Sequence, residues 1–183
     1  MTAEPKNDKE AEDIEATNAL IDDAQSQAAS KGDDNLLMVT FTIADQTYGG
    51  DILQIQEVTQ MSHITRVPHV RSYIKGVTNL RGNIVPTLDL RTRLGLGNGD
   101  ELTNQQIMIA RTDAGLLGYI VDSVREVITV PRSAIEPTPE DWLDADHQYF
   151  VGIAKLEGNL VTLVDFSRIV HSDRVLLDEL KQG

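Results

Sequence analysis

The chain has 183 residues and no cysteine, and its 16 Lys and Arg face 29 Asp and Glu, a formal net charge of −13. That length makes one domain or two small ones with a real core. The missing cysteines exclude disulfides and thiolate metal sites, and the acidity argues against nonspecific binding to nucleic acid or anionic membrane, which needs clustered Lys and Arg.

Residues 1–35 carry ten acids against Lys6, Lys9 and Lys31, a net of −7, which leaves −6 for the rest. The segment is rich in Asp, Glu, Ala, Gln and Ser and poor in large apolar residues. It cannot bury enough surface to offset its ordering entropy, so a disordered acidic tail is expected. Ile14, Leu20 and Ile21 form at most a weak helical face. The tail is assigned no role; long-range repulsion that tunes association and fades with salt is a hypothesis for a segment of this charge. The opening MTAEPKNDKEAED lacks the apolar core of a secretory signal, and no apolar run approaches the about 20 residues that span a bilayer. A cytoplasmic chain without direct membrane insertion is expected.

Folded character begins at Leu36. LLMVTFTIADQTYGG alternates with the period of a strand and then meets a turn. DILQIQEVTQM reads as the next strand, and Pro68 to Tyr73 as a short helix or turn. GVTNL and NIVPTLDL read as two strands joined at Arg81-Gly82, and GLGNGD, Gly95 to Asp100, is the clearest loop. The pattern restarts with QQIMIART, a turn at Asp113-Ala114-Gly115, and LLGYIVDSVREVITV. An acidic, proline-containing connection, Pro131 to Gln148, holds the only Trp, Trp142. In SDRVLLDELKQG, Ser172 is a plausible N-cap, and Leu176, Leu177 and Leu180 share one helical face.

The restart is a repeat. YIKGVTNLRGNIVPTLDLRTRL (73–94) and YFVGIAKLEGNLVTLVDFSRIV (149–170) align without a gap at an offset of 76. Seven positions are identical: Tyr73/Tyr149, Gly76/Gly152, Leu80/Leu156, Gly82/Gly158, Asn83/Asn159, Val85/Val161 and Asp89/Asp165. A fainter match at an offset of 69 pairs Gly49 with Gly118, Ile52 with Val121, Ile55 with Val124, and Glu57-Val58 with Glu126-Val127. Two copies are too few for a solenoid, so two similar lobes are expected. About five short strands per lobe with tight glycine turns suggest closed barrels. The expected layout is a tail over 1–35, lobe one over about 36–97, lobe two over about 101–170, and a C-terminal helix over 172–183, with strands free to exchange between lobes.

Catalytic and metal chemistry find little support. His63, His69, His147 and His171 are scattered, with no metal-ligand spacing. Gly95, Gly97 and Gly99 lack the GK[ST] of a phosphate loop, and neither Ser123 nor Ser167 sits in a nucleophile elbow. No metal or cofactor is expected. Asp89 and Asp165, one per repeat at a strand end, would suit an acid/base dyad. A dyad aspartate precedes small turn residues, whereas Leu90-Arg91 and Phe166-Ser167 follow here, so a role in binding main-chain N–H groups at the turn is preferred. An oligonucleotide-binding barrel is disfavoured by the acidity and the shortage of exposed aromatic pairs. The repeats differ most at Arg81 in NLRG against Glu157 in KLEG, where the shared turn reverses charge.

FTIADQTYGGDILQIQEV followed by IKGVTNLRGNIVPTLDLRTRLGL resembles the CheW family of chemotaxis coupling proteins. GYIVDSVREV and YFVGIAKLEGNLVTLVDF continue the likeness, which covers about residues 36–172. The resemblance implies a mainly β fold of two SH3-like five-stranded β-barrels packed side by side. It implies a stand-alone, non-enzymatic adaptor that links cytoplasmic tips of methyl-accepting chemoreceptors to the regulatory domain of the histidine kinase CheA, recruited to receptor arrays at the membrane. It also implies partner-binding roles for Arg81 and Glu57 and for the apolar Ile52, Ile55, Val124 and Val127. Ile55 and Val124 are equivalent in the two repeats, so they are core candidates as well.

Overall fold

The computed structural model describes residues 6–29, 34–97, 104–142, 148–170 and 173–182. The first element corrects the expectation of a disordered tail. Lys6–Ala28 is one helix, α1, built on the strong helix formers Ala11, Ala16, Ala19 and Ala24. Ile21 is wholly buried and Ile14 nearly so, whereas Leu20 faces solvent. Propensity alone leaves such a helix marginal. Docking of this narrow stripe on the β lobes supplies the rest, and a reading of average composition could not detect it.

Eleven strands follow among the described residues: β1 Asn35–Ile43, β2 Gln46–Asp51, β3 Ile55–Gln60, β4 Ile74–Leu80, β5 Asn83–Asp89, β6 Gln106–Thr112, β7 Gly115–Val121, β8 Ser123–Pro131, β9 Ile135–Glu136, β10 Phe150–Leu156 and β11 Asn159–Val164. They form a five-stranded sheet ordered β3-β6-β7-β5-β4 and a six-stranded sheet ordered β8-β1-β2-β11-β10-β9. In each sheet one end strand runs on in sequence to meet the strand at the other end. Thr65, downstream of β3, bridges to Val77 of β4, and β9, downstream of β8, pairs with β10. Each sheet thereby returns on itself as a small barrel. The two-residue β9 is the strand beyond the expected five.

Neither lobe is a continuous stretch of chain, so the 36–97 and 101–170 division is replaced by a reciprocal exchange. The first hairpin of each repeat pairs with strands of the other. Ile55 of β3 lies opposite Ala110 of β6, and the equivalent Val124 of β8 lies opposite Phe41 of β1. Thr87 of β5 runs parallel to Gly118 of β7, and Leu163 of β11 runs parallel to Gly49 of β2. These registers superimpose at the two sequence offsets, so the molecule has a pseudo-two-fold axis.

Three apolar clusters follow. Val85, Ile107, Ile109 and Ile120 fill one barrel; Met38, Val130, Ala154, Val161 and Leu163 fill the other. The largest cluster joins them and includes Phe41, Tyr119, Phe166 and Ile21. Within it the Tyr119 and Phe166 rings are 5.0 Å apart. Near the axis the Arg93 guanidinium lies 5.2 Å from the Tyr73 ring and 4.7 Å from that of Tyr149, the first identical pair of the repeat. Phe166–Ile169 is a single turn, α3, and the chain ends in α4, Arg174–Gln182. Leu177 of α4 is wholly buried and Leu180 partly so. Ser172, His147, His171, the loop tip at Asn98 to Asp100 and the Leu176 side chain lie outside the described residues.

Gly76 sits at a bulge of β4 against β5 with φ +143°, where a Cβ would stand 2.0 Å from the Thr65 carbonyl oxygen. Gly76→Ala should cost more than about 3 kcal/mol in denaturant titrations. At Gly82, φ +88° with open space around it, the same change should cost only about 1 kcal/mol. Tyr119 is fully buried and donates its hydroxyl to the Phe166 carbonyl oxygen at 2.8 Å. Burial, with a smaller contribution from the Asp165 carboxylate, raises its pKa well above 10.0. The unfolded chain therefore ionises first. The stabilisation is complete below about pH 10 and is lost as pH rises above it. Unfolding measured from about pH 8 to 11 should show a steeper alkaline loss in the wild type than in Tyr119→Phe.

Candidate partner-binding surface

The strands β4 and β5 turn on Arg81-Gly82, with φ +52° and +88° and Leu80 opposite Asn83. Two successive positive φ angles define the type I′ hairpin turn that matches strand twist. Asn79 braces it, its Oδ1 accepting from the Gly82 N–H at 2.8 Å. Glu157-Gly158 repeats the geometry, with φ +40° and +85°. Arginine in this conformation costs on the order of 1 kcal/mol, and a strained surface position of this kind suits a functional residue.

The Arg81 side chain is 77% exposed, yet its Nη2 donates to Glu57 Oε2 at 2.8 Å. Glu57 comes from β3, at the opposite end of the sheet order, and only barrel closure brings it under the turn. Its side chain is 14% exposed, and its Oε1 is buried without a hydrogen-bond partner. The pair therefore offers a forked donor in solvent above a carboxylate with unused acceptor capacity.

The four apolar candidates are placed differently. Ile52 lies in a 3-10 turn, Ile52–Gln54, and Ile55 opens β3. Both are buried, at 0% and 2% exposure, beneath α1. Val124 and Val127 on β8 are half-buried and pack against the same cluster. The six candidates thus separate into an exposed arginine held by a mostly buried carboxylate and an apolar group that is buried or half-buried. The cover over this region is α1, which packs on β3, β8, β1 and the 3-10 turn.

Asn18 and Gln25 escaped the sequence reading. Asn18 Nδ2 donates to the Val58 carbonyl oxygen at 2.9 Å, and its Oδ1 accepts from the Val58 N–H at 2.7 Å. Gln25 Nε2 donates to the carbonyl oxygens of Ile52 and Ile55 at 2.8 and 2.5 Å. The available signal was the seven-residue spacing of Ile14 to Ile21 and of Asn18 to Gln25, which sets one helical stripe.

Asp89 and Asp165 serve separate helix starts. Asp89 caps the single turn α2, Leu90–Arg93, accepting from the Arg91 and Thr92 N–H groups and from Thr92 Oγ1 at 2.8 Å. Asp165 caps α3, accepting from the Ser167 N–H and from Gln54 Nε2. Asp89 borders a hollow of about 320 Å³ with Met61, His63, Arg66 and Lys75. Asp165 borders a different one, with Gln54, Arg132 and Val164. The carboxylates sit in different lobes, so the dyad is not supported and the turn role fits the contacts. Among the described residues no group of three or more His or carboxylate side chains could hold a metal ion, and no helix is long and apolar enough to cross a membrane. Asp89→Ala should lower stability by about 2 kcal/mol and Asp165→Ala by about 1, read as thermal unfolding, because Asp89 is the more buried cap.

Comparison with known proteins accords with this architecture. The model of the CheW-like domain matches residues 37–174. Chemotaxis protein CheW of Klebsiella aerogenes is 32% identical over 137 residues, covering 75% of this chain and 82% of the relative. That of Helicobacter pylori is 32% identical over 152 residues, covering 81% and 92%, and protein FrzA of Myxococcus xanthus is 27% identical over 136 residues, covering 73% and 84%. The crystal structure of scaffolding protein TtCheW from Thermoanaerobacter tengcongensis superimposes with a TM-score of 0.69 at 31% identity, covering 76% of this chain and 94% of that one. The match runs through both barrels and the exchanged hairpins alike: this chain belongs to the CheW-like domain family.

Proposed function

We propose that this chain is a chemotaxis adaptor that joins the cytoplasmic tips of methyl-accepting chemoreceptors to the regulatory domain of the histidine kinase CheA. It works in the cytoplasm and is recruited to receptor arrays at the membrane. Family membership supports a chemotaxis scaffold that acts without catalysis. The observation that carries the finer reading is the exposed Arg81 on its strained turn, held by the half-satisfied Glu57. Arginine in such a setting makes directional contacts with a partner's acidic or carbonyl groups. The equivalent turn of the other lobe bears Glu157, so the two lobes offer opposite charges from one geometry. That asymmetry suits a bridge between two different proteins.

Coupling of this kind needs only differential affinity. The adaptor transmits receptor state if its contacts differ between the receptor's conformations. Reconstitution of the chain with a chemoreceptor signalling fragment and CheA should yield a ternary complex and altered kinase activity. Failure to bind either partner would overturn the assignment. Arg81→Glu should weaken coupling at least about tenfold while shifting the melting temperature by less than about 3 °C, because its ion pair is surface-exposed. A large melting shift would make Arg81 structural instead.

A further inference from the structure

The contacts of α1 have an unusual balance. Its docking stripe consists of Ile14, Asn18, Ile21, Ala24 and Gln25. Its outward face carries Asp8, Glu12, Asp13, Glu15, Asp22 and Asp23, all exposed. Among the described residues no ion pair ties α1 to the lobes. The hydrogen bonds of Asn18 and Gln25 to the lobes all end on main-chain groups of Ile52, Ile55 and Val58. None of them reads a side chain of the body. Any helix with large apolar residues seven apart and amides on the same stripe could repeat them.

The surface beneath also has the form of a receiving groove. β3 and β8 end their sheets in the strand order, and α1 packs on both. Val58 turns its N–H and carbonyl toward Asn18, the amide taking the place of a neighbouring strand. Ile52, Ile55, Val58, Val124 and Val127 lie in or against the cluster that Ile21 enters. An outside helix and α1 cannot occupy this groove together.

We infer that the groove between β3 and β8 is a helix-binding site that α1 occupies in cis, and that an amphipathic helix of a signalling partner displaces α1 to bind there. The inference rests on the adaptor reading. It makes α1 a competitor that lowers apparent partner affinity by the fraction of molecules in which it is docked. Once displaced, α1 becomes an acidic tether beside the site.

The test uses the full chain and a chemoreceptor signalling fragment. Hydrogen exchange of the wild type should show the amides of residues 10–28 losing protection when the fragment binds, while those of β6 and β7 keep theirs. The double variant Asn18→Ala, Ile21→Asp should bind the fragment at least about tenfold more tightly, and Leu20→Asp, on the exposed face, should bind as the wild type does. A fragment that binds while α1 stays protected overturns this inference and leaves the adaptor reading standing. A fragment that binds neither wild type nor variants removes the adaptor reading and the inference with it. The exchange measurement needs no variant to fold, so a misfolded double variant would not decide the matter.

Discussion

Parallel pairing of the last strand of each repeat with the second strand of the other holds the molecule together. Thr87 lies beside Gly118, and Leu163 beside Gly49. Both sites leave little room for a side chain. A Cβ on Gly118 would stand 3.0 Å from Ile107 and 3.2 Å from Thr87, and one on Gly49 would stand 3.1 Å from both Leu163 and Val161. Because each barrel borrows a hairpin from the other repeat, neither can open without disturbing its partner. The shared cluster around Phe41, Tyr119 and Phe166 is a consequence of that exchange. So is the contact between Arg91 and Asp122, whose carboxylate also accepts from the Ala44 N–H. It ties the turn after β5 to the β1–β2 hairpin of the other lobe.

The same exchange shapes the candidate surface. It leaves β3 and β8, equivalent strands of the two repeats, at the ends of their sheets. An end strand presents main-chain groups that must be satisfied or covered. Here Asn18 and Gln25 of α1 meet that requirement at β3. Barrel closure then lifts Glu57, next along β3, under the Arg81 turn. The covered groove and the carboxylate that holds Arg81 therefore meet on β3. A partner held by Arg81 would lie next to the groove that α1 fills.

Much of this was legible without coordinates. The gapless repeat announced two similar lobes, and Arg81-Gly82 announced the hairpin turn, because turns and bulges place local demands on residue type. The capping role of Asp89 and Asp165 was also readable, since a carboxylate at a strand end before an apolar residue has N–H groups within reach. The exposure of individual apolar residues was not. Ile52 and Ile55 lie in a segment that reads as one strand, yet a 3-10 turn begins at Ile52 and both are buried beneath α1, some 30 residues upstream. The helix was missed for a related reason. Its stripe contains two isoleucines and two amides, too few apolar residues to dominate the average of an acidic segment.

The sequence by itself determined the family, the pseudo-symmetric pair of β units, the tight turns and the charge reversal between Arg81 and Glu157. These follow from residue type and spacing within a few positions, and the repeat prints them twice. The tertiary structure decided which hairpin joins which barrel, where α1 docks, and how Glu57 comes to hold Arg81. Each of these is a pairing between segments far apart in the chain. The two repeats carry nearly the same pattern, so pairing within a repeat and pairing between repeats satisfy the same local rules. The choice between them lies in packing around Gly49, Gly118 and the shared core.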